Sequence, residues 1–162
     1  MFPVLIELID RQIRMEFEAA YFYLAASEAM YQKGFTGLAH WLQKQAGEEL
    51  QHGMRFVSYV RNRQLAPVWE EISPPAFNNN CTPAFLFRLA LEHEEAVTES
   101  ILSLVRQAQE LEDCMLEQFL GDFVAEQREE EESVGLILRR LEMARNQPAP
   151  LLIIDKEVGE SR

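Results

Sequence analysis

The sequence predicts an all-α fold: a four-helix bundle with one long crossover between its second and third helices and a short fifth helix at the C-terminal end. Three observations predict it. Pro3 aside, the prolines are confined to residues 67–83 and 148–150, which leaves long stretches free to be helical. Those stretches repeat apolar residues at spacings of three and four. The connection that carries most of the prolines is about 20 residues long, far more than a tight turn needs.

Pro3 suits the first turn of a helix, where its missing N–H costs nothing. From there to residue 32 no Gly or Pro intervenes. Lys33-Gly34 is a stop signal, and Thr36 is a candidate cap for a second helix over 36–63, which must tolerate Gly37, Gly47 and Gly53. Residues 64–83 then hold Pro67, Pro74, Pro75, Pro83 and the run Asn78-Asn79-Asn80. A helix of about 28 residues is ~42 Å long, and about 20 extended residues reach ~65 Å. The segment can therefore run the length of a bundle and set the second and third helices parallel. A third helix is expected over 84–111 and a fourth over 114–146. No Gly or Pro marks their boundary, but one helix from 84 to 146 would be ~95 Å long, so a turn is placed at 111–114. Gln147-Pro148-Ala149-Pro150 ends the fourth helix, and Leu151-Leu152-Ile153-Ile154 opens a fifth over 151–158 that is apolar enough to need a packing partner. The whole, residues 1–162, is expected to be one domain with one core.

Composition narrows the function. Apolar residues make up 48% of the chain, which suits a globular protein and not a disordered one. The net charge of −12 makes nucleic acid and anionic membranes poor partners and metal cations better ones. Cys81 and Cys114 stand alone, without the pairing of a disulfide framework or a zinc site. The N-terminal MFPVLIELID lacks the basic start of a signal peptide, and no apolar run reaches the length of a membrane span. The expected compartment is the cytoplasm.

The apolar stripes carry the chemical information, because each is broken by polar residues. The first helix runs Ile9, Ile13, Glu16, Ala20, then Tyr23 or Leu24. The second runs Leu38, Leu42, Gln45, Glu49, His52, Phe56, Val60. The third runs Phe87, Leu91, Glu94, Thr98, Ile101, Val105, and the fourth Leu116, Leu120, Phe123, Gln127, Glu130, Val134, Ile137. One acid in such a stripe is ordinarily a stripe misread by one residue. Here every interruption falls within about one turn of the middle of its helix, and helix midpoints share a level in a bundle. Glu16, Glu49, His52, Glu94, Gln127 and Glu130 are therefore expected to converge in the core. An unpaired buried carboxylate is costly, and several together also repel, so bound divalent metal is the expected compensation. The spacing Glu49-x-x-His52 places a carboxylate and an imidazole on one helical face, as di-iron bundles do. Glu131 and Glu132, in the same acidic run as Glu130, are expected to be solvated.

The segments RMEFEAAYFYL (14–24), QAGEELQH (45–52), LEHEEAVT (91–98), VAEQREEE (124–131) and LLIIDKEV (151–158) together resemble bacterial non-haem ferritins over nearly the whole chain. The resemblance implies a ferritin-like bundle in a hollow homo-oligomeric cage of twenty-four subunits, with the short fifth helix near the four-fold axes. It implies a first iron site at Glu16, Glu49 and His52, and a second at Glu49 as bridge with Glu94 and Glu130, Gln127 close by. Tyr23 matches a tyrosine that can supply an electron. Glu48, Glu126 and Glu129, sharing Glu130, match a third iron site. Leu50 stands where haem-binding relatives have a methionine, so no haem is expected. The implied activity is ferroxidase, with ferrous iron and dioxygen or hydrogen peroxide as substrates and ferric mineral stored in the cage. The rival readings are a di-iron or di-manganese oxidase or peroxidase with a resident cofactor, and a non-enzymatic iron-binding or structural bundle. Gln127 and Glu130 replace the second Glu-x-x-His pair of the resident-cofactor oxidases, which favours a site that releases its iron.

Overall fold

A computed structural model describes residues 3–78 and 80–160. Of the segments discussed above, the first two residues of the N-terminal segment and the middle of the asparagine run, Asn79, lie outside the described residues. Five helices follow in order: α1 (Pro3–Gln32), α2 (Thr36–Asn62), α3 (Pro83–Glu110), α4 (Cys114–Ala144) and α5 (Pro148–Glu160). The crossover occupies residues 63–82.

The core is split into two apolar layers. Leu5, Ile9 and Ile13 of α1 pack with Phe56 and Val60 of α2, Val97, Ile101 and Leu104 of α3, and Leu116, Leu120 and Phe123 of α4. At the other end Ala26 and Met30 of α1 pack with Leu38 and Leu42 of α2, Leu86 and Phe87 of α3, and Val134 and Leu141 of α4. The starts of α2 and α3 thus share one end, which makes these two helices parallel. Between the layers, on every helix, lie the polar interruptions. In the third stripe Phe87, Glu94 and Ile101 are buried as expected, while the alternate positions are corrected by one residue: Ala90, Val97 and Leu104 are buried, and Leu91, Thr98 and Val105 are only half-buried. On α1 it is Tyr23 that is buried, and Leu24 is exposed.

The crossover climbs α1 by successive polar and aromatic ties. The Val68 N–H donates to Asp10 Oδ1 at 3.1 Å, and the Arg14 Nε pairs with Glu70 at 3.0 Å. Trp69 lies on Phe17, the Ser73 N–H donates to Glu18 Oε1 at 3.2 Å, and Phe77 meets Phe22 edge-on. Extended backbone finds its partners on one helix in order, and its length follows from the length of that helix.

The turns explain where the sequence signals worked and where they failed. After α1, the Phe35 N–H bonds the Met30 carbonyl and the Gly34 N–H bonds that of Tyr31, with Gly34 at φ +83. That is a Schellman end with glycine where left-handed backbone is needed. The turn after α3 has the same pattern, Asp113 N–H to Ala108 and Glu112 N–H to Gln109, but places Glu112 at φ 54. No glycine announced it. The next helix is started by Asp113, whose Oδ1 accepts the Leu116 N–H at 3.1 Å and whose two oxygens take Arg63 at 3.0 Å each. Arg63 holds the Asp113 carboxyl below the usual carboxylate range. Loss of this cap in Asp113→Ala is expected to cost about 1–2 kcal/mol, read as a lowered thermal midpoint.

Three expectations at the ends of helices are corrected. Thr36 is the first helical residue of α2 and not its cap. Phe35 occupies the cap position and offers no side-chain acceptor. The acceptor comes instead from α5, where Asp155 Oδ1 takes the Leu38 N–H at 2.8 Å. The fourth helix ends at Ala144, earlier than expected, because Arg145 and Asn146 turn left-handed at φ 47 and φ 57. The fifth begins at Pro148 and not 151, since both its prolines sit in a first turn that needs no N–H donors. It buries Leu151, Ile154 and Val158 against the bundle and leaves Leu152 and Ile153 exposed at 57% and 58%. Among the described residues no helix is long and apolar enough to cross a membrane.

Candidate metal centre

The six polar interruptions meet in the gap between the two apolar layers. Glu16, Glu49, His52, Glu94 and Gln127 are buried and Glu130 is half-buried. Two groups of donor atoms form there: Glu16, Glu49 and His52 in one, Glu49, Glu94 and Glu130 in the other, each with its ligand atoms within 4.8 Å of one another. Glu49 belongs to both. Its carboxylate lies beside Glu16 of α1 and also beside Glu94 of α3 and Glu130 of α4.

Hydrogen bonds orient the acids without satisfying them. Gln12 Nε2 donates to Glu16 Oε1 at 2.7 Å. Tyr23 donates its hydroxyl to Glu94 Oε1, and Gln127 Nε2 donates to Glu94 Oε2 at 2.7 Å. Gln127 therefore holds Glu94 in place. Glu16 Oε2, Glu49 Oε1 and Glu130 Oε2 are buried and have no hydrogen-bond partner. Such orphaned acceptors are costly unless a cation or proton meets them. Hard oxygens with one imidazole nitrogen suit a divalent transition-metal ion.

The same surroundings also favour the protonated forms of these acids. Burial, then the charge of Glu49, raises the Glu16 carboxyl well above its ordinary value. Burial, then Glu94 and Glu130, does the same to Glu49. Burial raises Glu94 as well, against the hydrogen bonds from Tyr23 and Gln127. Glu130 is pushed up to about 8 by burial and by Glu94. Tyr23 is raised well above 10, first by burial and then by Glu94.

A cavity of about 460 Å³ opens onto His52 and is lined by Glu48, Arg55, Glu126, Glu129 and Glu130 among others. Glu48, Glu126 and Glu129 share this cavity, but among the described residues they form no close donor group with one another. Lys44 pairs with Glu48 at 3.5 Å and Arg55 with Glu126 at 2.5 Å, while Glu129 is exposed. Glu131, expected to be solvated, is half-buried and accepts the Thr98 hydroxyl, whereas Glu132 is exposed. Two residues with a place here were missed by the sequence reading. Gln12 sits one turn before Glu16 on the same face, and its polarity inside an apolar stripe was a usable signal. Arg55, one turn after His52, gave none.

A family model described as a Ferritin-like domain matches residues 6–144. A probable bacterial non-heme ferritin-like protein of Haemophilus influenzae is 31% identical over 154 residues, covering 95% of this chain and 93% of that one. A bacterial non-heme ferritin of Bacteroides fragilis is 32% identical, covering 94% of each. Among solved structures, an open pore ferritin from the archaeon Archaeoglobus fulgidus superposes with a TM-score of 0.94 at 31% identity, covering 100% of this chain and 99% of that one.

Proposed function

This chain belongs to the ferritin family, and from that premise we propose that it is an iron-storage subunit with ferroxidase activity, oxidising ferrous iron with dioxygen at the buried carboxylate pair of clusters and depositing ferric mineral inside a cage. The observation that carries the reading is Glu49, one carboxylate shared by two donor groups. A shared ligand keeps two ferrous ions close enough to give one electron each to the same dioxygen molecule. Hard oxygen donors favour the ferric product, and the single imidazole, His52, keeps the pair from being a permanently held cofactor.

The roles follow the geometry. Glu16, Glu49 and His52 would hold the first iron, and Glu49, Glu94 and Glu130 the second. Gln127 and Gln12 would orient Glu94 and Glu16. Tyr23, hydrogen-bonded to Glu94, could give a further electron to the same dioxygen molecule, its proton passing to that carboxylate. The acidic cavity beside His52 supplies a route for ferrous ions. A third site at Glu48, Glu126 and Glu129 would first need Lys44 and Arg55 to release their partners. The exposed Leu152 and Ile153 of α5 fit burial between subunits of a twenty-four-subunit assembly, in the cytoplasm.

The test is size-exclusion chromatography after aerobic loading with ferrous iron. Iron well above two atoms per subunit, co-eluting with a cage-sized particle, is the expected result. A monomer or dimer that keeps just two metals per subunit through desalting would sink storage in favour of a resident-cofactor oxidase.

A further inference from the structure

Gly53 is buried inside α2, directly after His52. A glycine in a helix interior costs stability relative to alanine, so it calls for a packing reason. Gly47 on the same helix and Gly121 on α4 have none of this kind: a Cβ built on either meets no atom within 4 Å. At Gly53 an added Cβ would stand 3.1 Å from Phe17 Cε1, 3.2 Å from Phe17 Cζ and 3.4 Å from Glu16 Cβ. Carbon atoms ordinarily meet at ~3.5–4.0 Å. The bare backbone of Gly53 is therefore a seat for the Phe17 ring. The ring has little room to leave it. Trp69 of the crossover lies against the ring, with centroids 5.9 Å apart. Trp69 is anchored through both its neighbours, since the Val68 N–H donates to Asp10 and Glu70 pairs with Arg14. Phe17 also packs on the apolar layer that contains Ile13 and Phe56.

Each of the two residues in contact follows a member of the first donor group. Phe17 comes after Glu16 on α1, and Gly53 after His52 on α2. Their contact limits how closely the two backbones approach at the level where Glu16 Oε2 lies 4.0 Å from His52 Nδ1. A metal position tolerates shifts of only ~0.2 Å in its ligand distances. The crowding that a Cβ on Gly53 would bring is as large or larger, and it falls on the backbones that carry two of the three donors. We propose that Gly53 and Phe17 are positioning residues: the Phe17 ring, seated on the Gly53 backbone, sets the α1–α2 spacing that brings Glu16 and His52 to one metal position with Glu49. The inference rests on reading Glu16, Glu49 and His52 as a metal position.

The test is a double-mutant cycle of Gly53→Ala and Phe17→Leu. It is read by calorimetric titration of zinc(II), a redox-inert probe, into the metal-free assembled protein, and by the thermal midpoint without metal. Gly53→Ala is expected to weaken one zinc site per subunit by about tenfold or more, the size of losing a supporting partner, with the number of ions bound unchanged. Phe17→Leu alone, which leaves the seat part empty and brings no clash, is expected to weaken the same site by a smaller factor. The double variant is expected to bind zinc better than Gly53→Ala does. Gly121→Ala, the same exchange in open space, should keep the wild-type zinc affinity. Without metal the two midpoint changes should not add, because an alanine at position 53 fits better beside leucine than beside phenylalanine. A merely structural contact would move those midpoints and leave zinc affinity alone. Wild-type affinity in Gly53→Ala therefore overturns the proposal, and so does a loss that Phe17→Leu leaves unrepaired. Should Gly53→Ala not assemble, wild-type affinity in Phe17→Leu overturns it. Additive midpoints would show that the seat does not exist. A wild type that binds no zinc but shows non-additive midpoints overturns the metal reading, and the role of the spacing with it, while leaving the packing of Phe17 on Gly53 intact.

Discussion

Glu49→Gln is expected to remove the fast phase of aerobic ferrous oxidation and, at the same time, to make the metal-free protein more stable. The first effect follows from position. Glu49 is the one side chain common to both donor groups, so its loss leaves neither complete. The rate should fall by more than the ~10–100-fold cost of disturbing an outer-shell partner. Unchanged oxidation kinetics would remove Glu49 from the site. The second effect follows from what the acids cost without metal. Glu49 Oε1 is buried without a partner, and burial together with Glu94 and Glu130 holds its proton far more tightly in the fold than in the unfolded chain.

The sign of the pH dependence is fixed by the direction of that shift. A carboxyl whose pKa is raised by folding stabilises most fully below its unfolded value, near 4.5, and that contribution is lost as pH rises toward the folded value, about 8 for Glu130. The thermal midpoint of metal-free Glu49→Gln should therefore exceed that of the wild type at pH ~8, and the gap should close as pH falls toward ~5. Saturating metal should reverse the order at pH ~8, because the ion replaces the protons and only the wild type binds it well. A gap that widened on acidification would contradict the buried, proton-holding description of Glu49.

Gly37→Ala is expected to detach α5. A Cβ built on Gly37 would stand 1.9 Å from the Asp155 carbonyl oxygen and 2.8 Å from its carbon, and Gly159 Cα would be 3.2 Å away. These are backbone atoms with no rotamer to move, so the helix itself must shift. The shift would expose Leu151, Ile154 and Val158, worth about 1.5–3 kcal/mol each when fully buried. It would also free the Leu38 N–H that Asp155 caps, worth about 1 kcal/mol. The expected result is a large fall in thermal midpoint and new proteolytic cleavage around residues 145–147. Asp155→Ala, which loses the cap without the clash, should show only the smaller fall. A Gly37→Ala protein with an intact, protected α5 would show that this close approach can relax.

Much of this architecture was legible in the chain. Gly34 announced its turn because left-handed backbone favours glycine, and the prolines of residues 67–83 announced the crossover because they exclude a helix there. The turn at Glu112 was visible only through the excessive length of an unbroken helix, since a non-glycine residue took the left-handed position. The cap of α2 could not be read locally, because Asp155 lies 117 residues away from Leu38. Half of the third stripe, Leu91, Thr98 and Val105, was read one residue off, since α3 interleaves half-buried and buried residues that periodicity alone ranks equally.

By itself the sequence determined the all-α bundle and the set of polar residues at its mid-depth. Helical periodicity fixes which residues share a face, and position along the helix fixes their level. The sharing of Glu49 was already implied by the family resemblance; only the tertiary structure decided that Gln127 binds Glu94 and that His52 turns Nδ1 inward and Nε2 toward Glu126. Those pairings depend on the rotation of each helix about its axis and on side-chain rotamers. Packing between helices sets both, and no single stripe records it.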